Sequence, residues 1–181
     1  MDTPEDYPEE LPPNPLNYPE ATQNMKEMIH GIHASGVRTT DYEHVRDRND
    51  GIYYNWSEVT FPAETSNCLL CHDGDTYDLP LDDNVLMTTN RTTGVADGMD
   101  ATTDDVVTAR ETLPNDTDWV ITPFTSTCYF CHDSEESVSH MELNGGAIDK
   151  NRSVAVDSLE TCVICHGSGS AHDMDKVHMQ D

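Results

Sequence analysis

The chain has few apolar and few aromatic residues for its length of 181 residues. Hydrophobic residues make up 35% and aromatic residues 7% of the sequence, whereas apolar residues make up roughly 45–50% of an ordinary globular domain. No apolar run approaches the roughly 18 residues that a membrane-spanning helix needs. We therefore expect no membrane span, and a core that side chains alone do not fill.

Positive charge is also scarce. Nine Lys and Arg residues stand against 35 Asp and Glu residues, so the net charge is −26 at pH 7. We expect no nucleic-acid binding, because so few cations cannot form a patch for phosphate contacts. The 22 Asp and three Lys residues fit either a surface that keeps the protein soluble or adaptation to high salt, as in a halophile. Such a surface attracts positively charged partners, such as metal cations or basic redox proteins.

Six cysteines form three CxxC pairs, and a histidine directly follows each pair. The motif CxxCH is the attachment signal for c-type haem. Its two thiols, on one helical turn, form thioethers with the two vinyl groups of one porphyrin, and its histidine is the proximal iron ligand. The sequence therefore predicts three haem c groups. The attachment residues are Cys68, Cys71, Cys128, Cys131, Cys162 and Cys165, and the proximal ligands are His72, His132 and His166.

Other uses of CxxC pairs explain this pattern less well. Three pairs would make one and a half Cys₄ zinc sites, and zinc gives no reason for a histidine after every pair. A disulfide within CxxC is strained and is usually redox-active rather than structural. A thioredoxin-like site needs one such motif on a βαβ unit, and this chain has three copies.

Six further histidines are available as sixth iron ligands. His30 and His33 lie in a segment whose apolar residues recur at helical spacing, MKEMIHGIH. Their imidazoles leave one helix face at slightly different angles, which suits two neighbouring haems. Two more candidates lie after the second motif and in the last segment, namely His140 and His178. The remaining two fit solvated side chains better, namely His44 and His172.

Several runs of the sequence closely resemble one known family. They are IHGIHASG, SEVTFPAETSNCLLCH, CYFCHDSEESVSHMELNGGAI and CVICHGSGSAHDMDKVH. They resemble the OmcA/MtrC family, decahaem cytochromes that metal-reducing bacteria place on the outer cell surface. The resemblance extends from about Asn24 to His178 and corresponds to the half of a pentahaem module that holds three haems.

The resemblance implies extracellular electron transfer through closely stacked haems with two histidine ligands each, and no enzymatic activity. It also implies a location at the cell surface or outside the cell. The first twenty residues lack a secretory pattern, so we expect the export signal to be absent from this chain. The resemblance also implies four candidates for the distal iron ligands, of which three are needed. They are His30, His33, His140 and His178.

The four distal donors outnumber the three irons. A surplus donor could be idle, or it could bind a haem of another subunit. The second possibility predicts a homo-oligomer, and in particular a filament (a nanowire) whose subunits share haem ligands. An alternative function is that of a multihaem reductase with one open catalytic haem, which needs an iron without a sixth ligand. The abundance of histidine favours the electron conduit.

We expect residues 1–19 to form an acidic, proline-rich arm, because its prolines preclude a regular helix. Residues 20–181 are expected to form one trihaem cytochrome domain. Helices are predicted at 20–35 and at 103–113, the second with Thr102 or Thr103 as its N-cap, and the segment 73–98 reads as turns.

The expected fold class is mostly irregular with short α-helices, built around stacked haems, with little or no β-sheet. Four Asn-x-Ser/Thr sequons are compatible with glycosylation of an exported protein but do not establish it. Their asparagines are Asn55, Asn90, Asn115 and Asn151.

Overall fold

A computed structural model of the chain describes residues 22–46, 52–92, 94–95, 102–112 and 114–178. The arm predicted at 1–19 lies outside the described residues. In the described part, seven short helices and two small antiparallel sheets are joined by turns and irregular segments. None of the helices found there is both long and apolar enough to cross a bilayer.

The helices are four to nine residues long, and a 3₁₀ turn is formed by Cys68–Leu70. The helices are α1 Met25–His33, α2 Thr103–Glu111, α3 Pro123–Cys128, α4 Glu135–Leu143, α5 Arg152–Ala155, α6 Val163–His166 and α7 Met174–His178.

Two of these helices were predicted from the sequence. Helix α1 begins later than expected, because the side chain of Asn24 accepts a hydrogen bond from the Lys26 N–H and caps the first turn. Helix α2 is confirmed together with its cap. Thr102 Oγ1 accepts from the Asp105 N–H at 3.2 Å, and Asp105 Oδ2 accepts from the Thr102 N–H at 2.8 Å. This reciprocal pair is a capping box.

The strands are two to four residues long. One sheet pairs β1 with β2, and the other has the order β3-β4-β5, with all neighbours antiparallel. Strand β3 lies in the segment that was read as turns. Strands this short show too little alternation of apolar and polar residues to be located from sequence. The strands are β1 Glu43–Arg46, β2 Ile52–Asn55, β3 Thr88–Arg91, β4 Trp119–Ile121 and β5 Lys150–Asn151.

The side chains of the described residues form two small apolar clusters. One contains Tyr42, Ile121 and Phe130, and the other contains Val120, Ala147 and Ala155. In contrast, large apolar side chains inside the first and third CxxC pairs are exposed. Their exposed fractions are 53% for Leu69, 51% for Leu70 and 72% for Ile164. The polypeptide therefore leaves apolar surface uncovered at its cysteine motifs.

Candidate functional site

The three CxxCH motifs adopt the same helical turn. In each motif, the N–H of the second cysteine donates to the carbonyl of the first at 3.1–3.2 Å, and the histidine N–H donates to that same carbonyl at 2.9 Å. The first motif lies in the 3₁₀ turn, the second begins at the end of α3, and the third forms α6. Residues three apart are neighbours on such a turn, so each pair of cysteines has the backbone that attachment to one porphyrin requires.

Each motif histidine faces a predicted distal histidine. The ring centroids in each pair are 5.8–6.2 Å apart. Two imidazoles on opposite sides of one metal ion have centroids about 6 Å apart, because each metal–nitrogen bond is about 2 Å long. Rotation of a ring about its metal–nitrogen bond leaves the separation of the centroids unchanged. All three pairs therefore fit this separation, although the angles between their ring planes differ. The pairs are His72 with His30, His132 with His178, and His166 with His140.

Oxygen atoms lie within hydrogen-bond distance of the Nδ1 atoms of three of these histidines, at 3.1–3.3 Å. A backbone carbonyl only accepts hydrogen bonds, so the Nδ1 atoms that face carbonyls carry the proton and Nε2 keeps its lone pair for a metal. The partners are Thr76 Oγ1 for His72, the His172 carbonyl for His166, and the Met174 carbonyl for His178.

The ring of His172 also lies 6.2 Å from that of His166. However, the His166 nitrogen that bonds to the backbone of His172 is Nδ1. The nitrogen left for a metal is therefore Nε2. The rings of His140 and His172 are equally distant from the ring of His166, and of the two only His140 is a distal candidate from the sequence. The backbone of His172 thus has a role that the sequence did not reveal, because any residue type could supply this carbonyl.

Two histidines do not face a motif histidine within the described residues. The ring of His33 packs on Phe61, with centroids 4.9 Å apart. His44 is buried on β1, and its Nε2 lies 3.1 Å from the carbonyl of Thr22. The structure therefore brings three of the four distal candidates to motif histidines, and the surplus donor is His33.

Burial keeps two of the paired imidazoles in the neutral form that binds metals. The pKa of His30 is lowered by burial and by repulsion from His72, Lys26 and His33. The pKa of His132 is lowered mainly by burial, with repulsion from neighbouring histidines adding to the effect. Neutral imidazole has the free lone pair that a metal needs.

No disulfide joins the six cysteines, all of which lie in the described part of the chain. Burial raises the pKa of Cys68, Cys131 and Cys162, and it raises that of Cys128 to about 12. Zinc requires thiolates, and the described part contains no group of three or more His, Cys, Asp or Glu residues arranged to hold a metal ion. The described residues therefore show no zinc site built from these cysteines.

Two carboxylates, the buried Asp133 and the half-buried Glu160, connect the second and third motifs to other segments of the chain. Asp133, next to the second motif, accepts hydrogen bonds from the backbone N–H groups of Thr39 and Thr40 and pairs with Arg38 at 3.2 Å. These three residues follow α1, which carries His30. Glu160, two residues before the third motif, accepts from the first turn of α3. No sequence pattern indicates either connection.

Comparison with known proteins assigns the chain to a family. Residues 14–179 match the family described as outer membrane cytochrome MtrC/MtrF-like, domains II/IV. The chain belongs to this family. No curated protein matches the chain. Membership in the MtrC/MtrF-like family confirms the resemblance to OmcA/MtrC cytochromes, and it assigns electron transfer by a haem protein of the outer membrane or cell surface as the coarse function.

The residues of the chain fit the haem c that this cytochrome family implies. The observation that tests the fit is the threefold repetition of one arrangement: a CxxCH turn and an imidazole pair with a separation of about 6 Å. Thioether attachment would use the cysteines of each turn, and the paired imidazoles would hold the iron from both sides.

The candidate glycosylation residues differ in exposure. Asn55 is exposed, whereas the other three asparagines are half-buried. Asn90 Nδ2 donates to Asp149 at 2.5 Å, and Asn115 Nδ2 donates to the carbonyl of Ala109 at 3.2 Å. Asn151 Nδ2 donates to the Thr117 carbonyl at 3.4 Å. Glycosylation at any of the four stays a prediction.

Proposed function

We propose that the chain binds three haem c groups, each held by two histidines, and conducts electrons outside the cell from a donor to an acceptor. The observation that carries this proposal is the set of three imidazole pairs, each of which contains one CxxCH histidine. The proposed ligand pairs are His72/His30, His132/His178 and His166/His140.

The chain's own residues explain how such a conduit would work. Haem c supplies an iron that changes between the ferric and ferrous states. Two imidazoles would hold each iron, so no position would stay open for a substrate, and the absence of a methionine ligand would favour low potentials. Hydrogen bonds to Nδ1 fix the orientation of the rings. This arrangement supports electron transfer between haem edges rather than catalysis at iron.

The pairing of the histidines also constrains how copies of this chain assemble. The three pairs use six donors for three irons, so an identical copy of this chain has no vacant iron for His33. A filament held by shared ligands would therefore require one in-chain pair to open and His33 to replace its distal member. The acidic surface adds repulsion between copies, which is strongest at low ionic strength. As partners we propose extracellular metal ions or basic redox proteins.

Mass spectrometry and absorption spectroscopy of the native protein test this proposal. We expect the intact mass to exceed 20.2 kDa by three haems, with the spectrum of six-coordinate, low-spin iron. Carbon monoxide added to the reduced protein should leave the spectrum unchanged. A change would identify an open iron and would favour the multihaem reductase, and a chain without bound haem would refute the proposal.

A further inference from the structure

Lys26 has a buried ammonium group that has no partner among the described residues. Its Nζ atom is shielded from solvent, makes no hydrogen bond, and has no salt-bridge partner among the described residues. Lys26 lies in the first turn of α1, four residues before His30. Side chains four residues apart share one face of a helix, so this cation lies on the helix face that carries a proposed iron ligand.

The nearby carboxyl groups do not compensate this charge. Burial, with repulsion from Asp149, raises the pKa of Glu27 to about 8, so Glu27 is mostly neutral at pH 7. Glu160 accepts four hydrogen bonds from the first turn of α3, at 2.6–2.9 Å, from the hydroxyl and N–H groups of Thr122, Phe124 and Thr125. Burial also lowers the pKa of Lys26. This effect is larger than that of the Glu160 and Glu27 carboxyl groups, whose attraction raises the pKa. A buried cation without a compensating anion lowers the stability of the protein unless another anion pairs with it.

A second unpartnered atom lies on the same helix. The Nδ1 atom of His30 is buried and makes no hydrogen bond within the part of the chain that the structure describes, and the charge of Lys26 is close enough to His30 to lower the pKa of its ring. Two donors are thus left without acceptors next to one of the three imidazole pairs. Haem carries two propionate groups, and their carboxylates are acceptors of the required charge.

We propose that Lys26 binds a propionate carboxylate of the haem attached at Cys68 and Cys71, whose iron is held by His72 and His30. This inference rests on the proposed function, because it requires that haem. It adds a cofactor-binding residue that neither the CxxCH motif nor the count of histidines indicates.

Reduction potentials of the haem-loaded protein test the role of Lys26. The variant Lys26→Met removes the charge but keeps a side chain of similar length, and Lys26→Arg keeps the charge. The matched control is Lys150→Met, because Lys150 is exposed and pairs with Glu142 at the surface. We expect Lys26→Met to shift one of the three potentials to a more negative value, because loss of a nearby cation favours the ferric form. Lys26→Arg and Lys150→Met should leave that potential close to its original value.

The denaturation midpoint of the haem-loaded protein is a second readout. Lys26→Met should change it in opposite directions depending on whether Lys26 pairs with a propionate. If Lys26 pairs with a propionate, Lys26→Met leaves that carboxylate unpaired and lowers the denaturation midpoint. If Lys26 has no partner, the same variant removes a buried, uncompensated charge and raises the midpoint. Unchanged potentials together with a raised midpoint would overturn the inference. If Lys26→Met does not fold, Lys26→Gln is measured in the same way.

Inorganic phosphate distinguishes a haem carboxylate from a free anion. A wild-type potential that rises or falls with phosphate concentration, at constant ionic strength, would show that a dissolved anion occupies this position and would overturn the inference. We expect no such dependence. The haem content of the wild-type protein is determined first: without three haems the proposed function fails, whereas with three haems the variants test Lys26 alone.

Discussion

At the scale of single residues, the partner of each imidazole decides its role. His178 and His172 lie close together in sequence, and each has its ring about 6 Å from a motif histidine. They differ in the backbone around them. The Nδ1 atom of His178 is held by a carbonyl one turn earlier on α7, whereas His172 offers its own carbonyl to Nδ1 of His166. The first is therefore a ligand in our proposal and the second an orienting group.

Substitution of these two histidines by methionine should have different effects. His178→Met should change one of the three haems: its potential rises if the methionine binds iron, and its reduced form binds carbon monoxide if the position stays open. His172→Met keeps the backbone carbonyl and should leave all three haems unchanged. Spectroelectrochemistry and carbon monoxide titration check both variants. Equal effects of the two substitutions would contradict the assignment.

Glu27 should make the stability of the protein depend on pH. Burial raises its pKa from 4.5 to about 8 in the native state. Between these values the native state holds a proton that the unfolded state has lost, so stability falls as pH rises from about 5 to 8, by about 1–3 kcal/mol from this group. Denaturation curves of Glu27→Gln should lack this contribution. The control Glu58→Gln, at an exposed position, should keep the wild-type slope, and parallel slopes for all three proteins would refute the prediction.

At the scale of elements, helix α1 depends on a close contact with the segment that precedes β1. Gly31 lies between the two histidines of α1, and a Cβ atom at this position would overlap the ring of Tyr42. Tyr42 is buried in the apolar cluster with Ile121 and Phe130. A glycine inside a helix lowers helix stability, so its presence here is explained by the space that the tyrosine needs.

The variant Gly31→Ala should be destabilised although alanine favours helices. We expect a loss of about 1–3 kcal/mol, because the ring of Tyr42 must move to admit the methyl group. The matched control is Gly36→Ala, where the nearest atom to a new Cβ is the Val59 carbonyl oxygen at 3.9 Å. Chemical denaturation of the loaded proteins measures both. A Gly31→Ala variant as stable as the control would contradict the close contact.

The carboxylate of Asp133 should hold α1 against the second motif. Its side chain is 2% exposed and pairs with that of Arg38, which is 5% exposed. Asp133→Asn removes the negative charge from a buried pair, and we expect a loss of about 2–4 kcal/mol in unfolding free energy. Asp157→Asn, at an exposed position, should cost little. Similar denaturation midpoints for the two variants would show that this connection does not stabilise the fold.

At the scale of the whole molecule, we propose that the haems complete the core. The two apolar clusters are small, and several fully buried side chains are polar, such as Thr88, Thr125 and Ser126. Exposed leucine and isoleucine side chains lie inside the cysteine pairs, where the cofactors would attach. Burial of apolar surface is the main favourable contribution to folding, and this chain provides little of it without a cofactor.

The chain without haem should therefore be largely unfolded. Replacement of all six cysteines by serine prevents thioether attachment, and we expect the far-ultraviolet circular dichroism of this variant to lose its helical signal. The loaded wild-type protein under the same conditions is the control. A native-like spectrum for the haem-free variant would contradict the view that haems fill the core.

The sequence predicted the parts of the site that depend on local chemistry. The CxxCH motif and, outside the site, the cap of α2 each depend on residues a few positions apart. The sequence alone therefore predicts both. The pairing of His72 with His30 depends on the packing of distant segments, and four candidates for three irons left it open. The short strands were not predicted for a different reason. They form by pairing between distant segments, and no local sequence pattern indicates them.

A density map of the haem-loaded protein, from crystallography or electron microscopy, tests the central claim most directly. We predict three haems, with irons held by His72 and His30, by His132 and His178, and by His166 and His140, while His33 binds no iron of its own chain. A map with a different ligand on any of these irons, or with fewer than three attached haems, would contradict the account.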